Sequence, residues 1–418
     1  MPGETEEELS GVTRRFLEYV RYDTTSDESS PYTPSTRGQL EFLGILRDEM
    51  VRMGMENVEL DGKGVVYASV PGGRDGGTVV GLLAHVDTSP DVSGHGVNPV
   101  VHREWDGEPI RLGAGTVIDP DFTKRMREYV GGTIITSDGT TLLGADDKAG
   151  VAIIMDVCEK LISDPSIPRP ATRVAFTTDE EIGRGMEGFD TEKFGATVAY
   201  TVDGGPVGKV DTHTFNAWKA EFRVKGREVH PGSAKGVMVN ASRVIAELVS
   251  LLKAGEMPEN SAGREGYVYP VEIVSRTSEG KLKLLIRDFS MEGIRDRLEY
   301  LEEMVRMIEL KFPGASVELV TREQYRNPGV VLEAHRELVE YAMKATGAVG
   351  SEPEETWVRG GTDGSRLSFM GVPTVNLPTG GELFHSKREW IAQEGMLRAR
   401  DIVLGTLELW AGKDGGPA

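Results

Sequence analysis

Four runs of nearly unbroken apolar residues constrain this fold most: GVVYASV (64–70), TVVGLLA (78–84), TRVAFT (172–177) and TVAYTVD (197–203). Strands apolar on both faces belong to a sheet covered on both sides, and helical stretches such as 148–163 separate some of them. The pattern predicts an α/β domain with a mixed central sheet. Before the first of these strands, Leu9, Val12, Phe16 and Val20, and then Leu40, Leu43, Leu46, Met50 and Met53, recur at helical spacing around a Thr/Ser/Pro-rich loop. Helices at 333–345 and 393–411, flanking a strand at 373–377, return to the same pattern near the end.

Between these parts the pattern changes. A strand (217–224), a helix (239–252), two strands (268–275 and 281–289), a helix (291–312) and a strand (316–321) follow in the order βαββαβ. That is a ferredoxin-like α+β unit able to close on itself. The chain is therefore expected to be a discontinuous catalytic domain, 1–211 with 327–418, interrupted by an inserted lid or dimerisation-like domain, 212–326. A length of 418 residues accommodates both.

Charge and cysteine content narrow the function classes. Lys plus Arg number 47 and Asp plus Glu 67, a net charge of −20, with no segregated basic patch, which argues against nucleic-acid or anionic-membrane partners. The single cysteine, Cys158, allows no intramolecular disulfide. The opening MPGETEEELSGVTRRF is acidic and lacks a secretory apolar core, and no run approaches the roughly 18 apolar residues of a membrane span. A cytoplasmic chain is expected.

Five places carry ligand-type or acid/base residues at expected strand ends. In AHVDT, His85 and Asp87 sit two apart, on one face of a strand, where a carboxylate orients a ligating imidazole. In GADDKAG, Asp146 and Asp147 precede a helix. One reading is an N-cap, the other a carboxylate bridging two metal ions, and both hold if each Asp takes one role. In TTDEEIG, adjacent acids face different ways, so that Glu180 can act as general base while Glu181 binds metal. Asp203 ends the strand in YTVDGG, and His385 lies in the loop TGGELFHSK. Mixed imidazole and carboxylate donors without cysteine suit a co-catalytic zinc pair, with cobalt or manganese as substitutes. A rival signal, Gly183-Arg184-Gly185-Met186-Glu187-Gly188, spells a dinucleotide fingerprint. Its context is wrong, because Asp179, Glu180 and Glu181 intervene after the strand and repel a pyrophosphate.

These motifs, in order with EVHPGSAKGVMVNA, IRDF and RGGTDG, resemble the peptidase T family of tripeptide aminopeptidases among the co-catalytic zinc exopeptidases. The resemblance runs over nearly the whole chain. It implies a zinc-exopeptidase fold and two zinc ions per subunit, one held by His85 and Asp203, the other by Glu181 and His385, with Asp146 bridging. It further implies that Asp87 orients His85, that Glu180 is the base and later the acid, and that His230 stabilises the oxyanion. Arg287 and Arg359 would receive the peptide's terminal carboxylate, bidentately as guanidinium does, and Asn216 would add a polar contact. Short peptides are the implied partners of a monomer or homodimer. Departures are His385-Ser386-Lys387, where the family commonly has His-Gly-Lys, and Trp218 after Phe-Asn-Ala. A dipeptidase, carboxypeptidase, N-acyl amino acid deacylase or non-catalytic peptide-binding relative are the alternatives on the same scaffold.

Overall fold

A computed structural model describes residues 9–73 and 77–413. Most of the acidic start and the middle of the GGRDGG loop lie outside the described residues. The chain divides into two compact units. One comprises the residues up to Thr212, Val330–Thr356 and the chain from Thr362 onward; the other comprises His213–Gly329 and Trp357–Gly361. The short return at Trp357–Gly361 is an addition to the expected inserted span. Trp357 explains it, since its ring stacks on His213 at 3.9 Å and carries the Arg264 guanidinium on a face at 3.7 Å.

An eight-stranded mixed sheet runs in the order Glu56–Leu60, Val66–Val70, Thr172–Thr177, Val80–His85, Val198–Gly204, Thr374–Pro378, Lys209–Thr214, Glu354–Val358. The four strands from Thr172–Thr177 to Thr374–Pro378 are parallel to one another. Successive residues in them serve opposite faces: Val174 and Phe176 join the large core, whereas Ala175 joins a smaller cluster with Phe189, Phe194 and Leu367. Helix Ala145–Ser163 is buried along most of its length, between the strand Val80–His85 and the helices Gly11–Tyr19 and Gln393–Lys413. This explains why its sequence is apolar all round rather than striped. At Gly150 the helix backbone lies on the sheet itself, because a Cβ there would fall 1.8 Å from the Val202 carbonyl oxygen.

The parallel strands all end at one edge of the sheet, where the loops of an open α/β fold form its ligand crevice. His85 closes Val80–His85, the acidic triplet follows Thr172–Thr177, Asp203 lies near the end of Val198–Gly204, and His385 follows Thr374–Pro378. Val80–His85 is flanked on both sides by strands that come later in the chain, so His85 stands where the strand order reverses.

The second unit is a four-stranded antiparallel sheet in the order Tyr267–Ser275, Glu279–Asp288, Asn216–Lys225, Ser316–Tyr325. Helices Ala241–Leu251 and Met291–Lys311 pack with Phe222, Leu282, Leu284 and Ile286 into its own core. The opposite face carries Lys219, Arg223, Lys281 and Lys283, all exposed. This is the expected ferredoxin-like order. Among the described residues no helix is long and apolar enough to cross a membrane.

Candidate metal centre

The helix Ala145–Ser163 starts irregularly, and that irregularity separates its two leading acids. Asp146 and Asp147 have non-helical backbone angles. Asp147 is fully buried and accepts hydrogen bonds from the amides of His85 (3.2 Å) and Gly150 (3.1 Å), which caps the helix and fastens it to the strand end. Asp146 instead reaches both histidines: its Oδ1 is 3.0 Å from His85 Nε2 and its Oδ2 is 3.3 Å from His385 Nε2. Asp203 Oδ1 lies 3.5 Å from the same His85 nitrogen, and Glu181 Oε1 lies 2.9 Å from His385 Nε2. The five expected ligands thus meet in one cluster. An oxygen of Asp147 also falls within 4.8 Å of donor atoms on His85 and Asp203.

The tautomers follow from the far side of each ring. His85 Nδ1 faces the Asp87 carbonyl oxygen at 3.1 Å and Asp87 Oδ1 at 3.3 Å, both acceptors, so Nδ1 keeps its proton and Nε2 is the nitrogen turned to the carboxylates, bearing the proton that a metal ion would displace. His385 has the same arrangement through Asp91 Oδ2, 3.3 Å from its Nδ1. Asp87 does more than orient a ring. Its two oxygens also accept the amides of Glu180 (3.0 Å) and Glu181 (3.1 Å), which sets the acidic loop against His85. Asp179, the third acid, turns away at φ 61° and is held by Ser35 and Gln39.

Burial and crowding set the charges of this cluster against one another. Burial pushes Glu180 well above the usual carboxylate range, and the charges of Asp203, Asp363 and Glu181 add to it. Burial, then the charge of Asp146, raises Glu181, and burial raises Asp203. Asp146 departs the other way: burial opposes its ionisation, but hydrogen bonds from His385 and His85 hold it below the usual range. Burial opposes the charged form of His385, yet the adjoining carboxylates of Asp146 and Glu181 lift it to about 11. Glu181 Oε1 is buried and accepts no hydrogen bond, although a nitrogen stands 2.9 Å away. Two imidazole nitrogens and several carboxylates aimed at common points, held together in the metal-free chain by protons that a cation would replace, are a donor set that fits divalent metal ions.

Other residues complete the frame. Glu389 is buried and accepts three backbone amides around Asp146. Buried Asp363 accepts the Thr177 hydroxyl at 2.7 Å, and a Cβ on Gly185 would lie 2.1 Å from its carboxylate. Gly185, the middle glycine of the dinucleotide-like string, is therefore a packing glycine. Asn376 accepts the Asp203 amide at 3.1 Å and donates to Asp211 at 3.0 Å.

The second unit holds the remaining expected residues. His230 is exposed and its Nδ1 accepts the Gly232 amide at 3.1 Å, which leaves Nε2–H as the donor. Arg287 is buried, stacks near the Tyr325 ring and donates from Nη1 to the carbonyls of Trp218 and Ile286. Two more of the expected residues have backbone partners. The Asn216 amide, expected to touch substrate, is buried, donates to Asp288 and Phe289 and accepts from Asn327. Arg359, expected to bind a carboxylate, directs both terminal nitrogens to Ser261, Gly263 and Glu265, and so ties its segment to that loop.

The model of peptidase family M20/M25/M40 matches residues 137–409. A peptidase T from Clostridium perfringens is 44% identical over 406 residues, covering 97% of this chain and 100% of the relative. Among solved structures, an aminopeptidase PepT from Bacillus cereus aligns with a TM-score of 0.74 at 22% identity, over 96% of this chain and 99% of that one. A dinuclear metal binding peptidase of the M20 family from Bacillus subtilis aligns at 0.64 and 15% identity, over 96% and 97%. Similarity along nearly the full length meets a cluster suited to binding metal at the sheet edge, and the chain belongs to peptidase family M20/M25/M40 and, within it, to the peptidase T family: it is a metal-dependent peptidase.

Proposed function

We propose that the chain is a tripeptide aminopeptidase working in the cytoplasm with two zinc ions, which cobalt or manganese can replace. His85 and Asp203 would hold one ion and Glu181 and His385 the other, with Asp146 shared. The observation that carries this reading is the Asp146 carboxylate, whose two oxygens face two different imidazoles at 3.0 and 3.3 Å. Such ions, when bound, supply Lewis-acid activation of a water and of the scissile carbonyl.

The protein's own groups do the rest. Glu180, half-buried beside the cluster, takes a proton from the attacking water and delivers it to the departing amine. Asp87 keeps the His85 proton on Nδ1 and holds Glu180 and Glu181 by their amides. His230 donates Nε2–H to the developing oxyanion. Arg287 receives the terminal carboxylate with the guanidinium nitrogens its backbone contacts leave over. The ferredoxin-like unit serves as a lid, in a monomer or homodimer.

A panel of di-, tri- and tetrapeptides with matched N-blocked tripeptides tests this. Turnover is expected to be highest on free tripeptides and absent on blocked ones. Equal hydrolysis of blocked peptides would replace the reading with a deacylase or carboxypeptidase.

A further inference from the structure

The local cap of the helix that presents Asp146 is Asp147, which accepts the Gly150 amide and leaves the amides of Leu143, Gly144 and Asp146 to other partners. Gly144 precedes the helix in the left-handed region at φ 85° and has no side chain to offer them. A buried carboxylate from far along the chain accepts them. Glu389 Oε2 accepts the amides of Leu143 at 2.7 Å and Gly144 at 2.8 Å, and its Oε1 accepts the amide of Asp146 at 3.1 Å. Negative charge at the start of a 19-residue helix is favourable in itself. Leu143 and Gly144 stand before the helix, out of reach of an ordinary capping side chain, so capping alone does not account for a residue 243 positions away.

The loop that supplies Glu389 does explain it. His385 lies four residues earlier, the Glu389 amide closes a turn onto the Ser386 carbonyl at 3.2 Å, and Trp390–Ala392 then pairs with Ile134–Thr136. Glu389 is thus rigid at its own base and grips the peptide that carries Asp146. His385 and Asp146 approach each other at 3.3 Å from these two clamped segments.

We infer that Glu389 is a positioning residue that sets the distance between His385 and Asp146, and thereby the affinity of the metal ion those two ligands share. The inference rests on the two-ion reading above. Because His85 sits on its own strand and Asp203 on another, the ion they hold depends on Glu389 less.

Cobalt(II) titration of the metal-free full-length protein, followed by visible absorption, tests this without any assay of turnover. The wild-type chain is expected to take up two ions. Glu389→Gln keeps the shape but turns a donor toward backbone amides. One ion is expected to bind roughly 10–100-fold more weakly and the other nearly as before. Glu394→Gln, which alters a carboxylate bound to the Thr133 amide on the neighbouring strand, is expected to leave both isotherms unchanged. Identical isotherms for Glu389→Gln and wild type overturn the inference, and so does equal weakening of both ions, which marks a merely structural role. Should the Gln variant not fold, the same selective loss in Glu389→Asp decides. A wild-type chain that binds fewer than two cobalt ions overturns the two-ion reading itself.

Discussion

In the first unit, His85, Asp146, Glu181, Asp203 and His385 converge with ring nitrogens and carboxylates facing one another, while in the second, Arg359 and Asn216 each reach distant segments and bond there to backbone groups and a hydroxyl. Both arrangements are assembled from residues far apart in sequence. Only one is self-sufficient. A buried polar group with all its partners stabilises a fold, whereas a buried cluster of like charges costs stability until something opposite arrives. The contrast separates residues that build the scaffold from residues that wait for a ligand.

The strongest way to sharpen that contrast is to change a group that faces the centre without belonging to the ligand set. Glu180→Gln is expected to lower kcat by roughly 10²–10⁴-fold while metal content stays at the wild-type level. Metal analysis and turnover on one preparation check it, and normal turnover would sink the general-base assignment.

The next test concerns pH in the metal-free protein. Glu181, raised to about 8, and Asp203, raised to about 7, keep protons in the folded chain that the unfolded chain loses near its ordinary carboxylate pKa of about 4. Stability of the metal-free fold should therefore fall as pH rises from about 4 to about 8. Metal replaces those protons, so the gain in thermal midpoint on adding zinc should grow over the same interval. A gain that shrinks with rising pH contradicts the crowding described for this cluster.

The smallest effect is expected where the molecule is already satisfied. Asn216→Ala takes the acceptor from the Asn327 amide and a donor from the carbonyls of Asp288 and Phe289, the second of which keeps the Asn327 side chain, at a cost of about 1–3 kcal/mol. Denaturant unfolding should register that loss, and metal content should not change. Altered metal uptake would contradict the division between scaffold and centre.

The parts of this fold legible in the sequence are those where burial writes a pattern. Strands such as Val80–His85, covered on both faces, read as apolar runs, and the βαββαβ order of the second unit followed from alternation and helix spacing. Lys209–Thr214 and Glu354–Val358 escaped notice, because strands near the sheet's edge carry polar residues and no periodic signal stands out in KVDTHT or EETWV. His85, Glu181 and Asp203 were legible because they stand at or just past the ends of apolar strands, Asp146 because it opens a helix beside a second acid, and His385 because it lies in a glycine-rich loop. Glu389 and Asp363 were not, since each acts on groups hundreds of residues or a whole loop away, and neither chain distance nor side-chain type announces such a contact. Asp91 illustrates a weaker case, a lone exposed acid whose only signal is the imidazole it faces. Asn216 and Arg359 show what a motif leaves unsaid: the backbone contacts each of them makes are not announced by the residues around them.

The measurement closest to the central claim is metal stoichiometry paired with tripeptide turnover, taken on metal-free protein reloaded stepwise with zinc. A centre organised around Asp146 predicts that each chain binds two ions and that turnover reaches its plateau only as the second is bound. Full turnover with one ion per chain, or undiminished turnover after complete removal of metal, would contradict it.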